Sequence, residues 1–187
     1  MSVLHQQDWQ PRVSSTMDRE LVQQIERLIR SGKITEVSDL FRDHPEWINP
    51  PDPAFTWLQV VINNFRNAGG TRMVQLLIEL GCDVNASGIT RISPLSKCLS
   101  EGHLELARLL LENGADPNRD RSVIYAITGN KRNCLEMIQL LELHGADLHR
   151  CFPLGNTGKQ INALSMAISW GKRDVAEYLL SKGVSPP

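Results

Sequence analysis

The chain has 187 residues, of which 41% are hydrophobic and 22% charged, the composition of an ordinary globular domain. A formal net charge of -1 provides no overall field to attract nucleic acid or an acidic membrane, so neither is expected as a partner. No run approaches the roughly 18 apolar residues of a membrane-spanning helix, and the N-terminus has no apolar signal-peptide core. A cytoplasmic location is therefore expected.

Residues 1–16 are polar and are predicted to form a disordered tail, ahead of a single domain that spans 17–187. The domain begins with an irregular helical unit at 17–52, in which "IERLIRSGKITEVSDLFRDHPEWIN" reads as two helices around Gly32. We interpret this unit as an N-terminal cap, because one face of a terminal repeat meets solvent.

Four similar units follow the cap, at 53–88, 89–118, 119–149 and 150–187. Their first helices contain "LQVVI", "LSKCL", "VIYAI" and "LSMAI", each with apolar residues at the first, fourth and fifth positions. This spacing places the apolar side chains on one helical face. Their second helices end in "ELGCDVN", "ENGADPN", "LHGADLH" and "SKGVSPP", where the glycine suits a helix stop.

The clearest unit resembles the ankyrin repeat, whose opening Thr-Pro-Leu-His motif has its counterpart in "SPLS", beginning at Ser93. The turn motif "GHLE" at 102–105 and the end motif "GADPN" at 114–118 are both present. The resemblance implies an all-α, ankyrin-type helical solenoid with β-hairpin-like loops between the repeats. Trp57 stands where the family has its proline, and it is predicted to face either the core or the binding groove.

The connections between repeats differ in length. The connection from Gly81 to Leu95 is regular, whereas 119–122 is five residues short and 150–162 is five residues long. The long connection is predicted to be a hairpin that projects beyond its neighbours. Extra residues also fall between the two helices of the first and third repeats.

The stretch "GNTGKQ" within the long connection superficially resembles a phosphate-binding loop. Such a loop requires four residues between its glycines, a hydroxyl residue after the lysine, and a buried strand before it. Here two residues separate Gly155 from Gly158, and Gln160 follows Lys159. The pattern indicates a hairpin tip, so a nucleotide-binding enzyme that uses Lys159 is the least favoured function.

No other chemistry is indicated by the spacing of reactive residues. The four cysteines form no CxxC pair and are expected to be free thiols. His144 and His149 fit zinc-ligand spacing loosely, but both occupy positions that helix ends explain. No catalytic set shares a face, so no enzyme activity, metal or cofactor is expected.

The resemblance also implies where a partner would bind. In ankyrin-repeat proteins the partner lies against the concave side, which consists of hairpin tips and first helices. Carried over by position, the candidate contacts are Arg91, Glu101, Arg119, Asp120, Arg121, Arg150, Phe152, Lys159, Gln160 and Trp170. Trp and Arg dominate the energetics of protein interfaces. For Trp170 and Phe152, packing against their own repeat is an equally supported alternative.

The resemblance therefore implies a non-catalytic module that recognises a folded protein partner and is monomeric when free. Because the predicted repeats occupy most of the sequence, we expect it to act by covering the surface of a toxin or an enzyme. In this design it resembles bacterial immunity proteins that neutralise a cognate toxin, and small ankyrin inhibitors. The alternative is a cytoplasmic adaptor or assembly subunit that links two proteins.

Overall fold

A computed structural model of the chain describes residues 19–49, 56–66, 69–88, 91–129 and 132–187. The predicted tail at 1–16 lies outside these residues. In the described part, five pairs of helices follow one another: α1 (Arg19–Arg30) and α2 (Ile34–Asp43), α3 (Trp57–Asn63) and α4 (Gly70–Glu79), α5 (Pro94–Glu101) and α6 (Leu104–Glu112), α7 (Ser122–Thr128) and α8 (Cys134–Leu143), and α9 (Ala163–Ser169) and α10 (Arg173–Ser181). A 3₁₀ turn at Pro45–Trp47 follows α2, and two short strands, β1 (Phe152–Pro153) and β2 (Gln160–Ile161), precede α9.

The helices stack in two layers. Each odd-numbered helix contacts the next odd-numbered helix, from α1 to α9, and the even-numbered helices do the same from α2 to α10. The chain therefore has the all-α solenoid fold that the repeats predict. No helix in the described part of the chain combines the length and hydrophobicity needed to cross a bilayer.

The core runs along the solenoid between the two layers. In α6 the buried side chains are Leu106, Ala107, Leu110 and Leu111, which share one helical face. Trp57 is only 2% exposed, so it belongs to the core instead of the groove. Its indole N–H donates a 2.9 Å hydrogen bond to the backbone carbonyl of Trp47, which ties α3 to the cap.

The helix starts are fixed by different caps in different repeats. Ser93 caps α5 by accepting a hydrogen bond from the backbone N–H of Ser96, and Pro94 follows at the first helical position. The α3 helix lacks that proline and instead has a reciprocal capping box between Thr56 and Gln59. Asn162 and Ser165 form the corresponding box at α9. Side-chain caps therefore fix the starts of α3 and α9, although neither helix has the family's proline.

In the four repeats after the cap, the second helices end at glycines in the left-handed conformation. Gly114 has φ of 86°, and its N–H donates to the carbonyl of Leu111 while that of Ala115 donates to the carbonyl of Leu110. These two hydrogen bonds close the last helical turn. They require the left-handed backbone conformation, which glycine adopts without steric cost. The chain then turns sharply toward the next repeat.

Candidate protein-binding surface

The connections between repeats are held by a ladder of asparagine side chains. The Asn85 amide donates a 2.9 Å hydrogen bond to the carbonyl of Gly114, and its oxygen accepts a 2.8 Å bond from the N–H of Asp116. Asn49 and Asn118 make the same pair of bonds one repeat before and one repeat after. Each connection therefore has a fixed position relative to its neighbours.

The long connection forms the predicted hairpin. Strands β1 and β2 pair antiparallel, with Phe152 opposite Ile161 and Pro153 opposite Gln160. At the tip, the N–H of Leu154 donates a 2.9 Å bond to the carbonyl of Lys159. Lys159 and Gln160 are both exposed. The stretch that resembles a phosphate-binding loop is thus the end of a surface hairpin, and it opens no helix directly.

Two arginines attach this hairpin to the preceding repeats. Arg121 donates a 3.2 Å hydrogen bond to the carbonyl of Pro153, and its Cζ lies 5.3 Å from the centroid of the Phe152 ring. Arg150 Cζ lies 5.1 Å from the same centroid, and its guanidinium donates to the carbonyl of Asn118. Such contacts between a cation and an aromatic ring are favourable. Phe152 is half-buried as a result.

These residues border a cleft of about 530 Å³, which we call the arginine cleft. Its lining combines four arginines, one acid, two aromatic rings and two smaller residues: Arg91, Arg119, Arg121, Arg150, Asp120, Phe152, Tyr125, Ser87 and Ile92. Six of the ten residues predicted to contact a partner lie here. The Asp120 carboxylate accepts a 2.8 Å hydrogen bond from the N–H of Ser93, so this acid supports the start of α5.

The arginine cleft carries a concentrated positive charge. Its four arginines and single aspartate leave the lining at +3, although the whole chain has a formal net charge of -1. Among the described residues, none of the four guanidinium groups forms an ion pair with a carboxylate. Unpaired guanidinium groups around a concave surface are suited to binding anions.

Arg91 has an unusual backbone conformation. Its φ is 54°, which makes it the one non-glycine residue with positive φ among those described, and its N–H closes a 2.9 Å turn onto the carbonyl of Gly88. A residue with a Cβ atom adopts this conformation at a cost of about 1–2 kcal/mol. The turn places Arg91 at the edge of the arginine cleft.

The other four predicted contacts lie outside this cleft. Lys159 and Gln160 belong to the outer part of the hairpin, and Glu101 forms a 2.8 Å ion pair with Lys97 along α5. Trp170 directly follows α9 and is 50% exposed, close in sequence to Ile168, which is 60% exposed. These four residues remain predicted contacts on separate parts of the surface.

A second cleft, of about 400 Å³, lies between the turns of the first and second repeats. The centroids of the His103 and Phe65 rings lie 4.6 Å apart. Phe65 belongs to the inserted turn of the first repeat, and the sequence did not identify it as a site residue. Burial lowers the pKa of His103. The negative charge of Glu101 raises this pKa, and the positive charges of Arg66 and Lys97 lower it. The extra residues of that turn were the one signal that could have identified Phe65.

All four cysteines are free thiols, and three of them are buried. Cys82, Cys98 and Cys134 are buried, and burial raises the pKa of Cys82 to about 12, so its thiol stays protonated at neutral pH. Cys151 is exposed. Across the described ranges, no three His, Cys, Asp or Glu side chains converge as metal ligands would.

Comparison with known proteins supports the repeat assignment. The family model "Ankyrin repeat" matches residues 91–121. The chain is 28% identical over 122 residues to "Ankyrin repeat and KH domain-containing protein CBG24701" of Caenorhabditis briggsae, which covers 62% of the chain and 4% of that protein. It is 29% identical over 121 residues to "Ankyrin repeat and KH domain-containing protein mask-1" of Caenorhabditis elegans, covering 63% of the chain and 4% of that relative. The chain therefore corresponds to a small part of each of these proteins. The family match shows an ankyrin repeat at residues 91–121, and the stacked helix pairs give the described part of the chain an ankyrin-type solenoid fold.

Proposed function

We propose that the chain is a non-catalytic module that binds a folded protein partner through the arginine cleft and the adjoining hairpin. Ankyrin repeats are protein-interaction modules, and this chain offers a recessed surface on one side of the solenoid. The observation that carries the proposal is the convergence of six predicted contact residues on that one cleft.

The composition of the cleft suits a binding site. Arginine and aromatic residues contribute most of the binding energy at protein interfaces, and both kinds line this cleft. Arg121, Arg150 and Phe152 are already held against one another in the free protein. Groups that are ordered before binding lose less conformational entropy when the partner arrives.

Inhibition is the form of binding that we propose for this site. A partner whose active surface is covered by the cleft would be blocked for as long as it stays bound, as a toxin is by its immunity protein. Adding the purified chain to the captured partner at equal concentration should abolish the activity of that partner. Full activity in the saturated complex would exclude inhibition.

An adaptor is the second candidate, and the exposed side chains of Ile168 and Trp170 favour it. They do not line the arginine cleft, so they could contact a different protein. In that case Trp170→Ala should weaken binding of the second partner by about 1–3 kcal/mol while the first partner binds normally. Thermal stability should change little, because Trp170 is half exposed. A large loss of stability with unchanged binding would show that Trp170 is structural.

The test of the proposed site is affinity capture from the native source with two matched double variants. The cleft variant carries Arg91→Asn and Arg119→Gln, because neither side chain has a hydrogen bond among the described residues and asparagine tolerates positive φ. The control carries Arg42→Gln and Arg108→Gln, two exposed arginines on second helices. The unmodified chain and the control should retain the partner, and the cleft variant should lose it. Equal retention by all three would refute the assignment of the site.

A nucleotide-binding enzyme is the alternative that the hairpin geometry supports least. Calorimetric titration of the unmodified chain with magnesium-ATP should give no binding heat. If heat appears and Lys159→Ala removes it, the enzyme alternative is restored.

A further inference from the structure

We propose that the arginine cleft recognises an acidic linear segment of the partner, one whose side chains carry several negative charges. The inference rests on the function proposed above, because it specifies the chemistry of the partner at the same site. Four features of the described residues support it: the local charge, the free guanidinium donors, the backbone of Arg91 and the size of the cleft.

The first feature is the contrast between the cleft and the remainder of the chain. The whole chain has a formal net charge of -1 and the cleft lining has +3, so the residues outside the cleft together carry -4. A positive cleft on an otherwise acidic chain attracts a short acidic segment locally. A long polyanion such as nucleic acid is less suited, because the residues outside the cleft carry a net negative formal charge.

The second feature is the supply of free donors. A guanidinium group has five N–H donors, and Arg121 and Arg150 each use one on a backbone carbonyl, of Pro153 and Asn118 respectively. Phe152 lies against both groups and holds them in place. The remaining donors are therefore available to carboxylate or phosphate oxygens, which guanidinium groups bind in pairs of parallel hydrogen bonds.

The third feature is the strained backbone at Arg91. A turn that needs φ of 54° would be less costly with glycine or asparagine, yet an arginine occupies it. Strain of this kind concentrates at binding sites, where the side chain repays its cost through function. Among the described residues, the guanidinium of Arg91 has no partner within the chain that would account for the choice. An anion supplied by another protein would account for it.

The fourth feature is the size of the cleft. A volume of about 530 Å³ accommodates a few side chains of an extended segment but is far too small for a domain. Tyr125 and Ile92 supply apolar surface within it. The expected ligand is therefore a short peptide stretch that combines several anionic side chains with an apolar one.

The test measures the fluorescence anisotropy of labelled peptides of identical length. One peptide carries consecutive glutamates around a leucine, the second has glutamine in place of glutamate, and the third has phosphoserine. The glutamate peptide, the phosphoserine peptide or both should bind at least about tenfold more tightly than the glutamine peptide, with affinity that falls as salt is added. Tighter binding of phosphoserine assigns a phosphorylated segment, and equal or tighter binding of glutamate assigns a carboxylate-rich one.

The two double variants show whether the binding is at the cleft. The variant with Arg91→Asn and Arg119→Gln should bind the acidic peptides about tenfold or more weakly, and the variant with Arg42→Gln and Arg108→Gln should bind like the unmodified chain. Circular dichroism should show the same helical content in both variants and in the unmodified chain. The proposal is overturned if the glutamine peptide binds equally well, if no acidic peptide binds, if the two variants behave alike, or if a short oligothymidylate binds more tightly than the acidic peptides.

Peptide binding and capture of the native partner test the inference and the proposed function separately. If the native partner is captured through the cleft but no acidic peptide binds, the inference fails and the function stands. If the cleft variant retains the native partner like the control, the cleft is not the binding site and both fail.

Discussion

The side-chain amide of Asn85 donates a 2.9 Å hydrogen bond to the backbone carbonyl of Gly114, the residue that ends the second helix of the next repeat. Its oxygen accepts from the N–H of Asp116, so one side chain satisfies two backbone groups of the neighbouring repeat. Asn85→Ala removes both bonds and should lower the free energy of unfolding by about 2 kcal/mol in urea titration. The loss should extend across the solenoid, because neighbouring repeats stabilise one another.

Asn113→Ala is the matched control, since Asn113 makes a single exposed bond to the carbonyl of Leu109 within its own helix. It should cost less than about 1 kcal/mol. Equal losses for the two variants would mean that the ladder contributes nothing beyond ordinary surface hydrogen bonds.

The ladder ends at His149, which occupies in the third repeat the position that Asn85 and Asn118 occupy in the first and second repeats. The N–H of His149 still donates a 2.9 Å bond to Asp147, as Asn118 does to Asp116, so the backbone turn is retained. His149→Asn should extend the ladder toward Gly183 and raise the unfolding free energy by about 1 kcal/mol. Thermal denaturation measures this gain, and His149→Ala, which lacks the amide, should not show it.

The sequence predicted the features that depend on local patterns. Apolar spacing and closing glycines indicated the stacked helix pairs, and the lengthened connection indicated the hairpin at 150–162. It missed features that depend on residues about one repeat apart, such as the contact of Arg121 with Phe152 and the ladder bond of Asn49 to Gly81. Those contacts arise only when the repeats stack, so no local signal marks them.

In the candidate site too, the sequence predicted what depends on local position and missed what depends on contacts between repeats. Position within the repeat predicted ten contact residues, and six of them line one cleft. Position did not indicate that Asp120 is bonded to the start of α5, or that Trp57 is buried. Both depend on which neighbour the side chain reaches, and repeat position does not specify that neighbour.

Gly129, which follows α7, packs directly against α5. A Cβ atom at this position would lie 2.4 Å from the carbonyl oxygen of Ser100, a backbone atom that cannot move without shifting its helix. Gly129→Ala should therefore destabilise the protein by about 2–3 kcal/mol, measured by urea denaturation. At Gly155, in the hairpin tip, an added Cβ atom would meet no neighbouring atom within 4 Å, but the residue has φ of 54°. Gly155→Ala should therefore lower the free energy of unfolding by only about 1 kcal/mol. If Gly129→Ala proves the milder change, the close contact of α7 with α5 is wrong.

His103 should make stability depend on pH. Burial lowers its pKa in the folded protein below the ordinary value of 6.5, so the unfolded chain takes up a proton more readily. The contribution of His103 is fully present above about pH 6.5 and decreases as the pH falls through the lowered folded value. Urea titrations at a series of pH values should show this decline, and His103→Gln should flatten it. An unaltered slope in His103→Gln would contradict the assignment.

Amide hydrogen exchange with and without the captured partner is the most direct test of the binding site. We predict new protection at residues 91–93, 119–121 and 150–153, which border the arginine cleft, with little change on α4, α6 and α8. Protection concentrated on those second helices, with the cleft segments exchanging as in the free protein, would contradict it.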